Sequence, residues 1–256
     1  MSWCDKLAST AGVGFRLEPH YVPGESLLNA LIPITDRLTD GEKQKFAVNQ
    51  IDPFGVTITT EDGFQYGVDS QRLFVGFQHR MKVRATSGGP PTMEMISHPL
   101  PYTELLPAVA KRLVEAAALL PKFSSRKLKR VGVISTTTVA DEDLPPGIAR
   151  FVEYMGRPWR GAVEYYNVQI TSEVEKSSGW SDLCSHSMNR PEDQDQMMTM
   201  VFDYQRVFSA ASTSTASGTS LAAILEQVSK SALKYFEDLA EGNRFDEELI
   251  GKAVSA

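Results

Sequence analysis

Leu128-Lys-Arg-Val-Gly-Val-Ile-Ser-Thr-Thr-Thr-Val139 reads as a β-branched strand in mid-chain, and the segments after it repeat an order already present upstream. Upstream, Val13, Phe15 and Leu17 alternate with polar or small neighbours in Gly12-Val-Gly-Phe-Arg-Leu-Glu18, the pattern of a half-buried strand. A helix is expected over Ser26–Leu38, kinked at Pro33. Alternating segments come next at Phe54–Thr60 and Phe64–Val68 around the turn signal Glu61-Asp-Gly63, then a longer strand from Arg72 to about Thr86. Ser87-Gly-Gly-Pro-Pro91 breaks that strand, and Tyr102–Leu120 carries a helical apolar stripe ended by Pro121. Pro107 is tolerable there only if the helix starts late.

Downstream, Pro145-Pro146 opens a short helix over Gly147–Met155. Strands are expected at Ala162–Val174, Trp180–Met188 and Met197–Phe208. The small polar tract Ser209–Gly218 reads as a loop. Thr219 or Ser220 then caps an amphipathic helix that Gly242 ends. Both halves thus run strand, helix, several strands, helix. The expected fold is α+β, a mainly antiparallel sheet with helices on one face. Two pseudo-repeated units, 1–126 and 127–256, stand beside one continuous domain as ways to divide it.

Hydrophobic residues make up 42% of the 256 and charged residues 23%, the profile of a globular chain and neither disordered nor collagen-like. No apolar run approaches the roughly 18–20 residues of a membrane span. Met1-Ser-Trp-Cys-Asp-Lys-Leu-Ala8 lacks the layout of a signal peptide, and the cysteines are two, Cys4 and Cys184. A reducing cytoplasm is therefore expected. Charge divides unevenly: 14 basic against 13 acidic residues through 128, then 12 against 19, so the net −6 sits in the second half.

Arg130-Val-Gly-Val-Ile-Ser-Thr-Thr-Thr-Val139 resembles the central Arg-aliphatic-Gly-aliphatic strand of a sporadically distributed, largely uncharacterised family of bacterial proteins. There too a Tyr-containing segment precedes the preceding helix, as Tyr102 does here, and the chain ends in a helix with a Phe and an acidic extension, which Phe236–Leu249 resembles. The family strand continues Arg-Tyr-Ile-Asn where Ser135-Thr-Thr-Thr138 stands here. The resemblance implies a shared architecture, a bacterial source and a link to mobile or defence systems, and carries over no catalytic residue.

Known catalytic patterns are missing from the chain. Gly12-Val-Gly14 meets Leu17 where a dinucleotide fingerprint needs its third glycine, and neither Gly-x4-Gly-Lys-Ser/Thr nor Gly-x-Ser-x-Gly occurs. No lysine follows an acidic residue by two positions, the spacing of many Mg²⁺ nucleases. Asp141-Glu-Asp143 and Glu192–Asp195 read as solvated turns. Asp182, Cys184 and His186 alternate, so one strand face could gather a carboxylate, a thiol and an imidazole as metal ligands or as an unrecognised enzymatic or ligand site.

Arg80, Lys82 and Arg84 also alternate and could meet phosphate or an acidic partner. Arg126-Lys-Leu-Lys-Arg130 adds charge nearby, although net acidity speaks against nucleic acid. Trp159 and Arg160 are of the types that anchor protein interfaces. The expectation is a non-enzymatic protein-interaction component, an adaptor, chaperone-like protein or complex subunit. Its partner would be another protein or a second copy, reached through Arg80, Lys82, Arg84, Trp159 and Arg160, with no cofactor and no membrane.

Overall fold

The computed structural model describes residues 10–18, 46–52, 55–60, 62–69, 72–78, 81–84, 92–95, 100–120, 123–160, 164–190, 197–209 and 218–246. Their strands are β1 (Thr10–Glu18), β2 (Phe46–Asp52), β3 (Gly55–Thr60), β4 (Phe64–Asp69), β5 (Arg72–Gln78), β6 (Met81–Arg84), β7 (Thr92–Met95), β8 (Lys127–Ala140), β9 (Tyr166–Lys176), β10 (Trp180–Arg190) and β11 (Met197–Phe208). The helices are α1 (Tyr102–Ala118), α2 (Pro146–Gly156) and α3 (Gly218–Glu241). Nine strands form one sheet in the order β2-β3-β4-β5-β1-β8-β11-β10-β9, and every neighbouring pair is antiparallel. The α+β fold with a mainly antiparallel sheet is therefore as the alternation implies.

β1 and β8 pair at the centre, Val13 opposite Val133, so the sheet runs unbroken across residues 126 and 127. Outward from that joint the two sides take the same course. Each central strand is flanked by the last strand of its own side, β5 or β11, from which a meander steps to the edge. The register between β1 and β8 shifts at Arg16/Leu17, leaving Lys129 as the extra residue. That bulge resets the alternation, so Leu128 and Val131 both face inward although three positions apart.

The helices cover one face. α1 packs on β1 and β5, α3 on β8 and β11, and the two touch each other above the central joint. Leu105, Leu106, Val109 and Leu113 of α1 and Leu221, Leu225, Val228 and Phe236 of α3 are buried there. They close over Phe15, Val75, Val133, Phe202 and Tyr204, each such side chain contributing about 1.5–3 kcal/mol on leaving water. The buried hydroxyl of Tyr102 bonds Ser135, fixing the start of α1 on β8, and Phe236 lies 5.1 Å from the ring of Phe202.

Three expectations need correction. α1 begins at Tyr102 and carries Pro107 in its second turn rather than starting late. Pro107 is exposed, so the helix hydrogen bond that its missing N–H forfeits lies on the solvated side, and the apolar stripe opposite holds the helix. The stretch Arg72–Thr86 is not one strand: β5 ends at Gln78, while β6 pairs with β7 in a separate two-stranded sheet. α3 starts at Gly218, ahead of both proposed caps. The helix expected over Ser26–Leu38 and the turn Glu192–Asp195 lie outside the described residues.

At Gly147, α2 meets the end of α3 backbone to backbone, and Arg150 beside it donates to the Glu241 carbonyl at 2.9 Å. A Cβ on Gly147 would overlap the Leu239 carbonyl oxygen and the backbone nitrogen of Gly242, and Gly242 itself turns with φ +94°. Gly147→Ala must therefore push two backbones apart. We expect it to lower the free energy of unfolding by about 1–3 kcal/mol, measured by urea denaturation.

Candidate functional site

Asp182, Cys184 and His186 do share a face of β10, but it is the face beneath the helices, where they are 0%, 0% and 5% exposed. Asp182 sits directly opposite Arg206 on β11. The Arg206 guanidinium donates to both carboxylate oxygens, at 2.7 and 2.8 Å, and the Tyr204 hydroxyl donates to one of them at 2.9 Å. Arg206 also lies 3.7 Å over the Trp180 ring and reaches Gln227 of α3 at 3.1 Å. The carboxylate is thus consumed in tying β10, β11 and α3 together.

Burial pushes the Cys184 thiol up to about 12, far from the thiolate a nucleophile requires. Burial lowers the His186 pKa, and neither ring nitrogen has a hydrogen-bond partner among the described residues. Among the described residues no group of three His, Cys, Asp or Glu side chains is placed to hold a metal. Of the basic trio, Arg80 lies outside the described residues. Lys82 and Arg84 stand opposite Glu94 and Thr92 in the small β6–β7 sheet.

Trp159 and Arg160 lie just beyond the end of α2, before the edge strand β9. Trp159 is 70% exposed and Tyr165, which leads into β9, is 47% exposed. Between them opens a hollow of about 600 Å³, floored by Val152 and Met155 of α2 and by Tyr166 and Val168 of β9. Arg160, next to Trp159, is exposed, while Arg157 is held by Glu153 at 3.2 Å.

β9 bonds β10 on one side and ends the sheet on the other, so its outward N–H and C=O groups meet no further described strand. Its first part, Tyr166–Ser172, carries no charge. Its end carries exposed Glu173, Glu175 and Lys176, with Lys176 3.5 Å from Glu173, and a register shift opposite Asp182/Leu183 bulges the strand at Val174. Sheet edge, uncharged stretch and aromatic hollow together have the makings of a protein-docking surface.

Comparison with protein-family models, with curated proteins and with solved structures gives no match for this chain. The bacterial-family resemblance of Arg130–Val139 accordingly rests on those short motifs alone.

Trp159 and Arg160 stand out in the sequence by residue type, and both are exposed. The hollow was not, because Val152 and Met155 come from a helix face and Tyr166 and Val168 from a strand face, and only packing joins them. A second group was equally hidden, although its signal was present: Gly12-x-Gly14-x-Arg16 and Arg130-x-Gly132 each place glycines and an arginine at period two on one face.

Asp182→Ala strands a buried guanidinium and should cost about 3–5 kcal/mol of stability, whereas Asp182→Leu combined with Arg206→Met should recover most of it; urea unfolding measures both. His186 bears on pH. Its folded pKa lies below the unfolded value of about 6.5, so the unfolded chain takes up the proton first. Stability is whole above pH 6.5 and falls as pH drops below it. Compared with His186→Leu, wild type should lose up to about 1.4 kcal/mol per pH unit in that window, and parallel losses in the two proteins would exclude His186 as the source.

Proposed function

We propose that the protein is a non-enzymatic, cytoplasmic protein-interaction component, a complex subunit that associates with a second copy of itself through the edge of β9. The observation that carries this reading is the edge of β9, open among the described strands and uncharged over Tyr166–Ser172, beside the exposed Trp159 and Tyr165. Charges of both signs flank that stretch: Arg160 and Glu164 before it, Glu173, Glu175 and Lys176 after it, with Arg157 on Glu153 and Lys176 on Glu173. An antiparallel second β9 pairs the two uncharged stretches with each other and leaves the charged residues at the ends of the contact.

Pairing about Gln169 sets Val168 against Ile170, Asn167 against Thr171 and Tyr166 against Ser172, with no like charges opposed. A two-fold contact of this kind is the commonest route to an oligomer. Trp159 and Tyr165 supply the exposed aromatic surface that such contacts bury. The second half's net −7 is screened beyond about 8 Å at physiological salt. The cytoplasmic placement is supported by the free, buried Cys184. Among the described residues no helix is long and apolar enough to cross a membrane.

Sedimentation velocity over a concentration series tests the reading. Wild type should shift from monomer to dimer with rising concentration. Trp159→Ser, and Gln169→Lys, which sets two lysines opposite each other at the two-fold axis, should each weaken the dimer by about ten-fold or more in dissociation constant. A chain that stays monomeric at about 100 µM, or a Gln169→Lys variant that dimerises as wild type does, overturns it.

A further inference from the structure

The sheet face away from the helices carries an ordered grid at its centre. Across β5, β1, β8 and β11 the register gives three successive rows: Arg72, Arg16, Arg130, Val207; then Phe74, Gly14, Gly132, Gln205; then Gly76, Gly12, Ile134, Asp203. The first row sets three guanidinium side chains directly opposite one another on adjacent strands. Like charges in that arrangement destabilise a sheet. Arg72 is partly compensated, since Asp69 accepts its backbone N–H at 2.8 Å and its Nε at 2.5 Å. Arg16 and Arg130 have no carboxylate within ion-pair distance among the described residues; Asp203 attracts both from further off.

Below the arginines the floor is bare backbone. Phe74 turns its ring over Gly67 of β4, away from Gly14, and a Cβ on Gly14 or on Gly132 would stand only 3.1 Å from its neighbours. Gln205 donates its side-chain amide to Asp203 along the far wall, and Ile134 remains 46% exposed. The trough holds about 520 Å³, the size of a small-molecule pocket. A charge-repelling row beside a backbone floor and a polar wall is costly for folding and has the form of a ligand site.

We propose that this trough binds a phosphate monoester with a planar organic part, of the nucleoside monophosphate class. Arg16 and Arg130 hold the phosphate, and Gly14 and Gly132 lie under the planar group. Each guanidinium offers five N–H donors, so two side by side outnumber the needs of a carboxylate and match the three oxygens of a phosphate. A planar ring can lie on backbone only where no Cβ intervenes, which is what the two glycines provide. Asp203 and the carbonyl of Gln205 offer acceptors to ring N–H groups at the opposite end. This site is separate from the β9 edge and stands or falls independently of it.

Isothermal titration of the full chain with AMP, GMP, CMP and UMP, with inorganic phosphate and with the matching nucleosides tests the proposal. At least one nucleotide should bind about ten-fold or more tightly than both inorganic phosphate and its own nucleoside. Arg16→Gln and Arg130→Gln should each weaken it about ten-fold or more while leaving the urea-unfolding midpoint unchanged or higher, because each removes a cross-strand repulsion. Three results overturn it: no nucleotide binding at about 1 mM, phosphate binding as tightly as any nucleotide, or variants that lose stability yet keep affinity.

Discussion

Antiparallel pairing of β1 with β8 is the constraint on which the rest of the molecule depends. Val13 against Val133 and Phe15 against Val131 put the apolar residues of both strands on one side. That choice commits β5 and β11, which flank them, to the same side. A sheet this wide cannot leave such a face wet, and the two long helices close it by meeting above the joint. The opposite face then carries what alternation leaves there: glycine, arginine, serine, threonine and glutamine, with Asp203 and the apolar Phe74, Ile134 and Val207 among them.

The same constraint decides the fate of Asp182, Cys184 and His186. Their alternation matches the inner face of β10, so they enter a region where water is excluded and a charge must find a partner. Asp182 finds Arg206 directly across the strand, and the stacking of Arg206 on Trp180 completes its surroundings. Cys184 and His186 answer burial the other way, by staying uncharged. One strand thus shows both solutions to burying ionisable groups, and both remove reactivity from the interior.

Where alternation was regular, the sequence was a good guide. β8, β10 and β11 read plainly, and β11 was bounded to the residue at Met197 and Phe208. β2 escaped because its register shifts between Val48 and Gln50, so Phe46–Asp52 never alternates for long. β5 and β6 read as one strand because Arg80, Lys82 and Arg84 continue the alternation past Gln78, and His79 and Arg80 between the strands carry no breaker. Period two reports that residues share a face and is silent on which face is covered. For that reason the Asp182 trio looked like a site, while Arg16, Arg72 and Arg130, far apart in sequence, did not look like a row. Their juxtaposition exists only once three strands are set in register.

That row is also where local preference and global fold disagree. The sheet would be quieter with threonine or glutamine at any of the three positions, as it has at Thr136, Thr138 and Gln205 on the same face. Chains whose levels otherwise agree tend to keep such conflicts where function requires them. The edge of β9 differs in kind. There the charged, bulged end at Glu173–Glu175 is what guards an edge, and the uncharged Tyr166–Ser172 beside the Trp159 hollow is what leaves part of it open. An edge guarded along half its length and bare along the other half confines any further strand to the bare half.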